Sequence, residues 1–161
     1  MSGLRPSVST PTLSTTATCP AGETDVPAGL KKALANANRL QDILLQETKP
    51  GRTGNAVLAT VLGQMKAEAL DGTMYPPPIG MQSHGAGPLI GLWDYQEGVP
   101  GRGDHTIISG MWFAAELQVT TPVPEWGGQP VRIAQEEDFI LGADGARRWA
   151  FQRQDKFHLV R

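Results

Sequence analysis

The chain has 161 residues, a net charge of −2 and 40% apolar against 19% charged residues, enough for one domain with one core. This balance gives no broad electrostatic ground for nucleic acid or an anionic membrane as a partner, and no run approaches the ~20 apolar residues that span a bilayer. The one cysteine, Cys19, has no intrachain partner for a disulfide, and glycine and proline together make up about a fifth of the chain, which announces many turns.

Residues 1–21 are rich in Ser, Thr and Pro and contain no Asp or Glu. They carry neither the apolar run of a secretory signal nor the arginine-rich amphipathic face of a transit peptide. A disordered tail is expected here, followed by an ordered unit over 22–161, and the expected location is cytoplasmic. Thr24 or Asp25 is placed to cap a first helix, with Pro27 in its first turn. Leu30, Leu34, Ala37, Leu40 and Leu44 recur at helical spacing. Lys49-Pro50-Gly51 should end that helix, and Thr53 should cap a second one with a stripe of Val57, Leu58, Val61, Leu62 and Met65. Asp71-Gly72 should terminate it. Neither helix gathers His, Asp or Glu on one face, so both read as structural.

Beyond Gly72 the character changes. Tyr75-Pro-Pro-Pro78 is too constrained for a helix. A glycine-rich stretch, 80–88, encloses His84, and Leu89–Trp93 reads as a short strand. Gln96–Asp104 is a Gly/Pro loop. Strand candidates follow at Thr106–Ile108, Met111–Thr121, and Val131–Ile133 continuing into Phe139–Leu141. Two helices followed by antiparallel strands favour an α+β class.

Between the last two candidates lies the turn-like stretch Thr121-Pro-Val-Pro-Glu-Trp-Gly-Gly-Gln-Pro130. A hairpin centred on Trp126 sets Thr121 against Val131, Val119 against Ile133, and Glu116 against Glu136. Opposed side chains lie about 4.5–5.5 Å apart at Cβ, where like charges repel. A shared proton, a basic partner or a cation would relieve the conflict. Arg132 is one such basic partner. Glu116 is equally readable as a glutamate on a solvated sheet face, since odd positions from Met111 to Val119 are apolar and even ones are not. Glu136-Glu137-Asp138 reads as a hydrated turn, or, by strand alternation, as Glu136 and Asp138 on one face with Glu137 on the other.

His84 is flanked by glycine, which lets an imidazole approach a ligand without crowding; alternatively it is a loop histidine with one hydrogen bond. One histidine with two carboxylates suits a divalent ion such as Mn, Co or Zn. Other motifs are weak. Gly85–Gly91 lacks the Gly-Lys-Ser/Thr ending of a phosphate loop, Arg102-Gly-Asp104 spells a common adhesion tripeptide, and no Gly-x-Ser-x-Gly is present.

Taken in order, Ser83-His-Gly-Ala-Gly87, Ser109-Gly-Met-Trp-Phe-Ala-Ala-Glu116 and Val131-Arg-Ile-Ala-Gln-Glu-Glu-Asp-Phe-Ile-Leu141 with Asp144-Gly145 resemble the metallopeptidase family of methionine aminopeptidase, aminopeptidase P, prolidase and creatinase. The resemblance runs over roughly 22–159. It implies the C-terminal half of a pita-bread domain, with two helices packed on a curved antiparallel sheet. It also implies a two-metal site that hydrolyses N-terminal peptide bonds, with Xaa-Pro peptides as substrates of the proline-directed members. By position, His84, Glu116 and Glu136 become metal ligands and Glu116 the proton carrier. The family's two aspartates have no counterpart in 1–21, and Asp25, Asp42 and Asp71 sit at helix starts, middles and ends. Gly91 stands where a further histidine is expected. The resemblance therefore implies a chain with three of five ligands, inactive alone, whose partner is a missing N-terminal half or a second copy. A truncated reading frame would account for the change near Pro20, and a non-catalytic peptide-binding remnant or a non-functional fragment are the alternatives.

Overall fold

A computed structural model describes residues 16–18, 24–80 and 83–160. Strand β1 (Thr16–Thr18) lies inside the stretch expected to be a tail and pairs in parallel with β10 (His158–Val160); the rest of that stretch is outside the described residues.

Helix α1 (Ala28–Glu47) follows from its apolar stripe: Leu30, Ala33, Leu34, Ala37, Leu40, Ile43 and Leu44 are all buried. Its start is not capped by Thr24 or Asp25, as the sequence had implied. Asp25 instead ion-pairs with Lys31, while the carboxylate of Glu125, 96 residues away, accepts from Gly29 N at 2.9 Å. An acid at a helix N-terminus answers both the unpaired N–H groups and the positive end of the dipole, and here the tertiary fold delivers it. Helix α2 (Gly54–Ala67) is capped as expected, with Thr53 Oγ1 accepting from Ala56 N at 3.1 Å.

The end of α2 differs from the expectation. Asp71-Gly72 does not stop it; these residues open strand β2 (Asp71–Met74). The helix closes earlier, where Ala69 takes a left-handed φ of 53° and Leu70 N and Ala69 N reach back to Met65 O and Lys66 O. That is the Schellman arrangement, with Leu70 and Met65 as its apolar pair, and alanine occupies the position glycine usually fills. Arg39 on α1 and Glu68 at the end of α2 clamp the two helices with two hydrogen bonds of 2.8 and 2.6 Å.

The strands that follow are β3 (Pro78–Gly80), β4 (Ser83–His84), β5 (Trp112–Ala114), β6 (Leu117–Val123), β7 (Gln129–Gln135), β8 (Asp138–Leu141) and β9 (Arg147–Trp149). They form a three-stranded sheet, β2-β6-β7, and a five-stranded one, β4-β3-β5-β8-β9, with all neighbours antiparallel. Leu89–Trp93 is not a strand. It is a loop with one bridge, Leu92 to Tyr95, and Thr106 likewise makes only a bridge to Thr53. The class is α+β, as expected.

The hairpin register is the one the sequence indicated: Thr121 faces Val131 and Val119 faces Ile133. The pairing of β5 with β8, Phe113 with Phe139 and Ala114 with Asp138, continues the same register. One long hairpin thus runs through both sheets, interrupted only at Ala115-Glu116 and Glu136-Glu137. Even there, Ala115 N donates to Glu137 O at 2.7 Å. The core lies on the odd-numbered face, where Phe113, Ala115, Leu117, Val119, Ile133 and Phe139 join the apolar stripe of α1 in one buried cluster. Among the described residues no helix is long and apolar enough to cross a membrane.

Candidate metal centre

The interruption between the sheets is where the two glutamates sit. Glu116 and Glu136 stand opposite each other at the corner, each on the even-numbered face of its strand, away from α1. On the other side of Glu116 the ladder continues through Tyr75, whose N donates to Glu116 O at 2.9 Å, one residue beyond the pair Met74–Leu117. Tyr75, Glu116 and Glu136 therefore form a row across three neighbouring strands, on one face.

His84 arrives from a fourth strand. β4 pairs with β3 so that His84 faces Ile79, and Gly85 N donates to Pro78 O at 2.7 Å, turning the chain back towards the row. Its Nε2 stands 3.1 Å from Glu116 Oε1. One ligand-type atom from each of His84, Glu116 and Glu136 lies within 4.8 Å of the other two. All three residues chosen from the sequence are thus brought together. Arg132 does not resolve the conflict between the acids. It is exposed, four pairs up the ladder opposite Thr120, and among the described residues it pairs with neither glutamate.

The electrostatics follow from this crowding. Burial raises the Glu116 carboxyl above its ordinary range, the charge of Glu136 raises it further, and the imidazole of His84 offsets part of this. Burial likewise raises Glu136, with Asp138 adding to it and His84 opposing. The Tyr75 phenol is pushed up by burial first and then by Glu116 and Glu136, so it remains a neutral O–H donor beside two acids. Tyr75 was missed in the sequence, where Tyr-Pro-Pro-Pro carried no strand signal; the alternation Thr73, Tyr75 after Asp71-Gly72 is the trace it leaves.

A cation fits this donor set. The side chain of Glu116 is only 15% exposed, and its Oε1 is shut from solvent with no well-formed hydrogen bond among the described residues, His84 Nε2 standing 3.1 Å away. An orphaned buried carboxylate oxygen is costly. Two donors each ~2.0–2.2 Å from one ion, at tetrahedral or octahedral angles, lie roughly 2.9–3.5 Å apart, which brackets the separation of 3.1 Å between His84 Nε2 and Glu116 Oε1. The three aspartates weighed from the sequence as substitutes lie elsewhere. Asp25 pairs with Lys31, Asp42 with Arg153, and Asp71 is exposed opposite Thr120. Gly91 offers no place for a histidine, because its φ is +80° and a Cβ there would lie 2.7 Å from Met74 O. The Arg102-Gly-Asp104 tripeptide is structural: it forms a 3-10 turn, Asp104 is bound by Asn55 and Gly101 N, and Arg102 donates to Gly85 O behind His84.

Comparison with protein-family models and with curated proteins gives no match. Comparison with solved structures does. An X-Pro aminopeptidase from Thermotoga maritima MSB8 is similar over 91% of this chain, with a TM-score of 0.58 and 19% identity. A dipeptidase from Pyrococcus horikoshii OT3 is similar over the same share, with a TM-score of 0.56 and 19% identity. The chain spans 37% and 36% of the lengths of those two proteins. The fold expected from the three sequence motifs is thus the fold found, that of a part of these larger enzymes.

Proposed function

We propose that this chain carries part of the metal centre of a peptidase in the family of methionine aminopeptidase, aminopeptidase P, prolidase and creatinase. His84, Glu116 and Glu136 hold one divalent cation. The observation that supports this most directly is the convergence of three ligand atoms within 4.8 Å at a carboxylate oxygen of Glu116 that is shut from solvent. A cation bound there supplies Lewis-acid polarisation and lowers the pKa of water.

The chain's own groups do the rest. Glu116, whose carboxyl burial and the charge of Glu136 push above its ordinary range, is the proton carrier, the role of a general acid–base group. Tyr75 presents a neutral hydroxyl to the same space. The substrate class that fits is a peptide with a free amino end, Xaa-Pro peptides among them. A second cation needs more carboxylates than these, and Asp25, Asp42 and Asp71 are engaged or exposed elsewhere. The centre is therefore completed by carboxylates from another segment or chain, and the chain alone turns over no peptide.

Two measurements test this. Calorimetric titration with Mn2+ should give one ion per chain, and Glu136→Gln should weaken it at least about a hundredfold, whereas Glu137→Gln on the opposite face should leave it unchanged. Incubation of the purified chain with Mn2+ or Co2+ and an Xaa-Pro peptide should give no cleavage. Turnover by the chain alone would show that the three ligands suffice and would refute the half-site reading.

A further inference from the structure

The face that carries the glutamates extends beyond them. Successive pairings set His84 opposite Ile79, Ile79 opposite Trp112, Trp112 opposite Ile140, and Ile140 opposite Arg148. Directly opposed residues share a face, so these side chains form one row across the five-stranded sheet. The reverse face is occupied by Phe113 and Phe139, which stack, and by Trp149, edge-on to Phe139. Arg147 also points that way, donating to Gln46 O of α1.

The row has a graded chemistry. His84 stands at one end beside Glu116 and Glu136, which lie four residues along the strands from Trp112 and Ile140, with Ala114 and Asp138 between. The middle is apolar: Trp112 keeps 42% of its surface exposed, and Ile79 and Ile140 beside it are half-buried. The far end is Arg148, exposed and without an ion pair among the described residues. An exposed tryptophan flanked by isoleucines is an apolar platform without a partner among the described residues, and the opposite charges at its two ends restrict what can cover it.

We infer that this face binds a short oligopeptide in extended form, amino end at the glutamates, apolar side chains on Trp112, and terminal carboxylate on Arg148. This rests on the reading of the glutamate corner as the reacting end of the site and adds a substrate length to it. From Glu136 to Ile140 is four residues of chain, at most ~13–14 Å, and Arg148 lies one strand further, ~4.8 Å across. A peptide spans ~3.3–3.6 Å per residue. The ruler therefore fits about four residues; a dipeptide reaches only the apolar platform. Arginine suits the terminal position because its fork takes a carboxylate in two parallel hydrogen bonds.

The test is a calorimetric titration in EDTA, so that neither hydrolysis nor metal uptake enters and failure of the metal reading leaves the outcome intact. The probes are the tetrapeptide Ala-Val-Leu-Leu, its C-terminal amide, and the dipeptide Val-Leu. Wild type should bind the acid roughly tenfold more tightly than the amide, and Arg148→Gln should abolish that difference while leaving affinity for the amide unchanged. The dipeptide should bind at least about tenfold more weakly than the tetrapeptide, and Trp112→Ala should weaken the tetrapeptide by a similar factor. The acid–amide contrast needs no variant, so a folding defect cannot mimic it. Equal affinity of wild type for acid and amide would overturn the proposal. So would a dimer in sedimentation velocity that Trp112→Ala dissolves, because the platform would then be the seat of a second copy of the chain.

Discussion

The long hairpin presents two faces built from the same strands in the same register, and they could hardly differ more. On the odd-numbered face, Phe113, Leu117, Val119, Ile133 and Phe139 are shut from solvent against α1. On the even-numbered face, one residue away in each case, stand Trp112, Glu116, Glu136 and Asp138, half-buried or exposed and mutually repelling where they are acidic. Side-chain alternation alone makes this division, and a slip of one residue would exchange the faces wholesale. The apolar face fixes the register, and the fixed register then forces two carboxylates together that would otherwise separate. Stability on one side thus holds the electrostatic conflict in place on the other.

That division can be broken most visibly from the core side. Phe113→Ala removes a ring stacked at 5.5 Å on Phe139 and should cost about 3–5 kcal/mol in chemical denaturation. Its neighbour on the outer face, Trp112→Ala, should cost under about 1 kcal/mol. Equal losses would mean that both faces are core. A second test concerns Gly29, a helical position where alanine ordinarily gains up to ~1 kcal/mol. Here a Cβ would lie 2.4 Å from Glu125 Oε2 and 2.9 Å from Val123 Cγ1, displacing the acid that caps α1. Gly29→Ala should therefore destabilise by about 1–3 kcal/mol, and a gain would show that the hairpin turn does not bear on the helix start.

The smallest effect is a pH dependence. Glu116 and Glu136 have folded pKa values above the ordinary carboxylate range, so the folded chain retains protons that the unfolded chain releases. Their contribution is present in full below about pH 4 and is lost as pH rises through the folded values. Glu47 and Glu68 run the other way: the Gln64 side chain and the Arg39 guanidinium, respectively, lower their pKa, so their contribution is lost as pH falls. Comparing Glu136→Gln with wild type separates the two. With chelator present, the variant should melt with wild type near pH 3.5 and about one to three degrees above it at pH 7, a modest figure because both acids are partly solvated. A variant that melts below wild type at pH 7 would mean the acids do not repel.

Much of this was legible in the chain itself. The stripe from Leu30 to Leu44, the cap at Thr53 and the centre of the hairpin at Trp126 all rest on local periodicity or turn chemistry, and these survive folding. So did the suspicion about Glu116 and Glu136, since a hairpin register is arithmetic once its centre is known. What local reasoning misplaced depends on distant partners. Glu125 gives no sign in its turn that it caps α1, and Ala69 is not a residue expected in a left-handed conformation. Tyr75 becomes a neighbour of the acids only because β2 adds to the other edge of β6. Leu89–Trp93 has strand composition, but Gly91 with its positive φ folds it into a loop instead.

The central claim is that one cation sits between His84, Glu116 and Glu136, and crystals grown with Zn2+ test it most directly. An anomalous difference peak about 2.0–2.2 Å from His84 Nε2 and from one carboxylate oxygen of each glutamate is the predicted result. A map with no peak at that corner, or with His84 and the two acids pointing apart around bound ions elsewhere, would contradict the account.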